Sequence, residues 1–211
     1  MPSHLSTGQR LLLQKKIHVD ADAYAQSNRA VQRRFPSGWS AAIETARVLG
    51  SLPEEALLWW AEQHDGHLRL TANGDGYADF CVVNGEELVG VADLPMDWLL
   101  AEPLQTLASC LRPLDHLLGC GCGTGGWLSD GGGITPRWQQ VGRQIVHLFS
   151  LGYGRTEASR ADPHIYLAQG LALAITDRRT LNAADPKLER LLGASLLSPG
   201  FWRNFRAGDA G

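Results

Sequence analysis

Apolar residues recur along the chain at two spacings, and these divide it into three parts. Over residues 1–66 they fall three and four apart, the interval at which side chains share one helix face. A helix is expected over Ala21 to Phe35, ended by Pro36-Ser37-Gly38, and a second over Ser40 to Leu49 with Gly50 as its C-terminal stop. A third opens at Pro53-Glu54-Glu55, where a proline and two acids suit the first turn, and runs through Trp59 and Trp60 to His64-Asp65-Gly66. Residues 67–95 alternate instead. His67 to Thr71, Tyr77 to Val83 and Leu88 to Val91 read as three short strands, joined by turns at Asn73-Gly74-Asp75-Gly76 and Asn84-Gly85. Asn-Gly is a strong hairpin signal because both central residues of a type I′ turn need positive φ. A small antiparallel β meander is expected.

From residue 96 to 211 the helical spacing returns. Asp97 to Leu118 carries Trp98, Leu104, Leu107, Leu111, Leu114 and Leu118 at helical intervals, with interruptions expected at Pro103 and Pro113. Residues 119–133 contain eight glycines and read as an irregular loop anchored by Trp127. Further helices are expected over Pro136 to Leu151, from Asp162-Pro163 to Ile175, and from Asp185-Pro186 to Leu192. The fold class is α+β, as a single domain over 1–211: N-terminal helices, the meander, and a helical C-terminal half.

Composition narrows the function classes. A net charge of −3 gives no electrostatic reason for a nucleic-acid partner, and the basic run from Arg29 to Arg34 reads as a solvated helix face. The longest N-terminal apolar run is Leu11, Leu12 and Leu13, far short of a leader or a span, so no membrane partner and a soluble, cytoplasmic protein are expected. The four cysteines, Cys81, Cys110, Cys120 and Cys122, are too few to form the disulfide framework of a small secreted domain.

Three segments carry candidate chemistry. The loop GCGCGTGGWLSDGGG follows a helix and precedes no Lys, so it lacks the context of a phosphate-binding loop. His116, Cys120 and Cys122 have zinc-type donors, but a one-residue gap between the cysteines makes a two-thiolate chelate awkward. His64 and His67 lie in a helix-to-strand turn and read as surface residues. The third segment is WQQVGRQIVHLFSL, Trp138 to Leu151, which contains Arg143-Gln144-Ile145-Val146-His147. In His-Glu-x-x-His metalloproteases the two His, four apart on one helix face, converge on zinc while the Glu polarises water. Here only His147 has that type, with Arg143 and Gln144 in the other places.

Downstream, Tyr166-Leu167-Ala168-Gln169-Gly170-Leu171-Ala172 is followed by Ile175-Thr176-Asp177 and Asp185-Pro186-Lys187. Together the two segments, over residues 133–192, resemble degenerate forms of the motifs of the metalloproteases related to anthrax lethal factor, a zincin family whose later helix supplies the third zinc ligand. The resemblance implies a zincin-like core, with Ile165 in the third-ligand column and Gln169 in that of the second acid. It further implies a vestigial cleft of Arg143, Gln144, His147, His164, Ile165 and Gln169 without catalytic residues. Arg143 has no lone pair for a metal, Gln144 cannot act as a general base, and one His cannot hold a catalytic zinc. The function expected is that of a non-catalytic pseudoenzyme acting as a protein-binding or scaffolding module, with a protein partner or a homo-oligomer and with no cofactor or bound metal. Seven tryptophans suit protein contacts. The alternative is a hydrolase using Asp115, His116, Cys120 and Cys122.

Overall fold

The computed structural model describes residues 5–119 and 126–208, and the chain falls into two compact units, Met1–Pro113 and Leu114–Gly211. A reading of 1–211 as one domain draws no such division.

In the first unit, α1 (Thr7–Lys15) opens on a capping box in which Ser6 and Gln9 exchange backbone-to-side-chain hydrogen bonds. It leads into β1 (Ile17–Val19), a strand where only helix was expected. The helix expected over 21–35 is broken in two, α2 (Ala23–Gln26) and α3 (Arg29–Arg34). The break comes from Asn28, whose extended backbone and side chain, accepting from the Ala30 and Val31 amides, start a new helix. α4 (Gly38–Val48) tightens into a 3-10 turn over Leu49–Ser51, so Gly50 is no left-handed stop. Its missing side chain makes room for the Gln9 carboxamide instead. α5 (Glu54–Glu62) opens just behind Pro53, which takes the cap position rather than the first helical one, and it buries Trp60, which donates to the Gly66 carbonyl.

The sheet corrects the meander. Its order is β1-β2-β4-β3, with β2 His67–Thr71, β3 Gly76–Val83 and β4 Glu86–Pro95. Only β3 and β4 are antiparallel; β1 pairs parallel with β2, and β2 parallel with β4. The burial pattern gives the reason. β4 buries Leu88, Val91, Ala92 and Leu94 and takes the interior position, whereas Phe80 and Val82 of β3 are exposed, as an edge strand allows. The β3–β4 hairpin turns at Asn84 and Gly85 with φ of 53° and 86°, both left-handed, as the sequence predicts. Arg69 on β2 clamps its register partner Asp93 on β4 with two hydrogen bonds of 2.7 and 2.8 Å.

After α6 (Trp98–Ala101), α7 (Pro103–Gly119) continues through Pro113, where an interruption was expected. The second unit then holds a 3-10 turn (Leu128–Asp130), α8 (Pro136–Ser150), α9 (Glu157–Ala161), α10 (Pro163–Thr176), α11 (Arg178–Ala184), α12 (Pro186–Ala194) and α13 (Pro199–Gly208). α8, α10 and α12 each begin with proline behind a side-chain cap, from Thr135, Asp162 and Asp185. α9, α11 and α13 have no counterpart in the sequence reading. Trp138 of α8 is fully buried against Phe201, Trp202 and Phe205 of α13, with ring centroids 4.8, 5.3 and 5.8 Å away. Among the described residues, no helix is long and apolar enough to cross a membrane.

Candidate functional site

A grouping of ionisable side chains in the second unit lies at the stem of the glycine-rich loop. Asp115, near the end of α7, is almost fully buried and accepts the Ser129 backbone N–H at 2.9 Å and the Ser129 hydroxyl at 2.7 Å. Burial drives its carboxyl well above the ordinary carboxylate range, while the two Ser129 hydrogen bonds and the field of His164 pull it back. Next to it, buried His116 stacks on Trp127 with centroids 4.9 Å apart, and Trp127 also stacks on His164 at 4.3 Å. His164, in the first turn of α10, meets Asp130 through Nε2 at 3.0 Å and lies 3.8 Å from Asp162 through Nδ1. The indole therefore stacks with both imidazoles, and the chain entering the loop is stapled to the chain leaving it.

Backbone contacts tighten the same stem. The Ile134 amide donates to the Leu118 carbonyl at 3.0 Å, and those of Asp130 and Gly132 to the Trp127 carbonyl. α8 lies directly on this turn: a Cβ at Gly142 would come within 2.3 Å of the Gly132 carbonyl oxygen and 2.8 Å of that of Leu128.

The residues singled out in the sequence are thus only partly brought together. Asp115 and His116, from the alternative site, join His164 from the vestigial cleft; Cys120 and Cys122 lie outside the described residues. Arg143, Gln144 and His147 are exposed on α8. Ile165 is half-buried, and half-buried Gln169 accepts from the Thr156 hydroxyl at 3.1 Å. α8 faces α10 through Phe149, whose ring is 5.7 Å from that of Tyr166. At about 100° per residue, Arg143, Gln144 and His147 point well away from that side. Among the described residues, no three His, Cys, Asp or Glu side chains are grouped to hold a metal. Trp127 is the anchor the sequence suggests, but Ser129 and Asp130 were missed. The available signal was two polar residues, one position beyond the one aromatic in a glycine-rich run.

In the first unit, His64 and His67 do not converge. His64 pairs with Asp65, whereas His67 Nδ1 lies 3.0 Å from His18 Nε2 and its Nε2 donates to the His64 carbonyl at 3.0 Å. Lys16 is buried beside them, its ammonium donating to the carbonyls of Gln63, His64 and Asp65 at 2.6–3.0 Å. Compared with protein-family models, curated proteins and solved structures, the chain matches none of them.

Proposed function

We propose that the 114–211 unit is a non-catalytic, protein-binding module, a pseudoenzyme whose glycine-rich loop is held on a rigid stem. The observation that carries this reading is that the chemically capable side chains at the stem are committed to one another. The Asp115 carboxylate takes both Ser129 donors, the Ser129 hydroxyl is spent on Asp115, and His164 meets Asp130. Asp115 and Ser129 are also buried, at 4% and 0% exposure, so neither reaches a substrate atom as a nucleophile or general base must. Arg143 and Gln144, exposed on α8 and turned away from α10, form no cleft with Ile165 and add no reactive group to the stem.

The test is a metal and turnover assay on the whole chain. Purified protein incubated with zinc and then dialysed is expected to retain no stoichiometric metal by elemental analysis and to leave ester and peptide substrates intact. One zinc per chain, or turnover abolished by Asp115→Asn, overturns the reading in favour of a hydrolase at the loop stem.

A further inference from the structure

β3 stands at one end of the sheet order and pairs with β4 alone. In an antiparallel pair, alternate residues turn their N–H and C=O groups towards the neighbour, so the other half of the β3 backbone faces outwards. Among the described residues, Ala78 to Val83 make no backbone hydrogen bond beyond those to β4, which leaves that outward row open. Proteins commonly close such edges to other chains with Lys, Pro or a very short strand. β3 instead runs for eight residues, contains no Lys, Arg or Pro, and carries one charge, Asp79. It also presents Phe80 and Val82, at 56 and 55% the two most exposed large apolar side chains among the described residues. Two positions apart on a strand, they share one face, and Val89 of β4 lies directly across from Phe80. An open backbone edge and an apolar patch therefore coincide.

We propose that β3 pairs antiparallel with the β3 of a second copy of this chain, about a two-fold axis at Cys81. In that register the strand is its own complement, as an interface between identical copies requires. Phe80 falls opposite the copy's Val82, and Val82 opposite the copy's Phe80. These are aromatic–β-branched pairs, a combination that stabilises neighbouring strands. Each copy thus covers both exposed side chains of the other, and the two four-stranded sheets join edge to edge. Asp79 falls opposite the copy's Val83, so the two Asp79 carboxylates stand four positions apart along the strands, roughly 13 Å. At that separation, screening leaves little repulsion. A foreign strand would use the same backbone groups; the reciprocal match of Phe80 with Val82 is what selects a second copy.

The pairing is independent of the chemistry proposed for the 114–211 unit. Sedimentation velocity on the whole chain tests it, and a dimer whose share rises with protein concentration is expected. Val82→Lys sets an ammonium against the copy's Phe80 and should weaken association about tenfold, with the circular dichroism unchanged because the side chain is exposed. Phe80→Glu should do the same. The two substitutions together place Glu opposite Lys on both sides of the axis, and should regain most of the lost association at low salt. A monomer at every concentration, a dimer indifferent to Val82→Lys, or a double variant no better than the single ones overturns the proposal. A chain that stays monomeric yet binds a labelled extended peptide of alternating Thr and Val overturns it in favour of a foreign strand.

Discussion

Acid should loosen the first unit at one identifiable place, the pair formed by His18 and His67. A carbonyl only accepts, so His67 must carry its proton on Nε2, which leaves Nδ1 to accept from His18 Nε2–H. A second proton on His67 sets two donors against each other at 3.0 Å. Burial lowers His67 from 6.5 to about 4, and the charges of Lys16 and His18 act in the same direction against the His64 carbonyl and Asp65; burial also lowers His18, which Glu86 opposes. The folded state therefore binds this proton less readily than the unfolded chain. Its stabilisation is complete above the unfolded value near 6.5 and is lost as pH falls towards the folded value near 4. At about 1.4 kcal/mol per tenfold change in proton affinity, the whole interval is worth at most about 3.4 kcal/mol. His67 lines a polar cleft of about 410 Å³, and water there reduces that ceiling. Between pH 7.5 and 5.5, above the ordinary carboxylate range, a loss of about 1 kcal/mol is expected in the first unit. Hydrogen exchange reads it directly through the Leu68 amide, bonded to the Lys16 carbonyl, and the Gly66 amide, bonded to Val89. Their opening free energies should fall over that range in the native sequence and stay level in His67→Gln, whose amide nitrogen keeps a donor for the His64 carbonyl. An equal slope in both proteins refutes the reasoning, as does an NMR titration placing His67 near 6.5.

Two further outcomes test the loop stem, both read from urea unfolding followed by tryptophan fluorescence. Asp115→Ala leaves two Ser129 donors without their acceptor and should cost about 2–4 kcal/mol, whereas Asp115→Asn, which keeps one acceptor oxygen and the same volume, should cost less; equal losses would show that the retained oxygen does not hold the Ser129 donors. Raising the Asp115 pKa by burial acts oppositely to His67, since stability is complete below the unfolded carboxylate value and declines as pH rises through the folded one, so the stem should tolerate mild acid. Gly142→Ala drives a methyl into two backbone carbonyls and should cost about 1–3 kcal/mol despite the higher helix propensity of alanine; a neutral or stabilising result would mean that α8 does not lie against residues 128–132.

Local chemistry was the part of this fold most readable from sequence. Asn84-Gly85 and the proline-led starts of α8 and α10 depend on neighbours in the chain, and they stand where expected. What the sequence hid was pairing between distant segments. β1 is three residues long and leaves no periodicity to read, and its strand character comes from β2, some fifty residues on. The parallel placing of β4 beside β2 was legible only in hindsight, from the near-continuous apolar run Leu88 to Leu94 against the polar-interrupted β3. At the loop stem the same limit applied. Asp115 and His116 were visible as chemistry, but Ser129 and Asp130, from one 3-10 turn, and His164, from α10, belong to two later elements, and only the fold sets them together.

The tethers of α1 have a bearing on the order in which the first unit is made. Ser6 and Gly8 are held by Glu54, Gln9 by the Ala46 carbonyl, and Lys16 by the carbonyls of Gln63, His64 and Asp65, across separations of 37 to 49 residues. During synthesis α1 therefore emerges well before anything it can dock against. Closing loops of that length precedes any reward from the contacts, so the docking of α1 belongs to the slow, late part of folding. Until then its apolar residues Leu12 and Leu13, buried in the finished protein, stay uncovered. The nascent chain is then most open to chaperones or to aggregation in the interval before residue 65 leaves the ribosome.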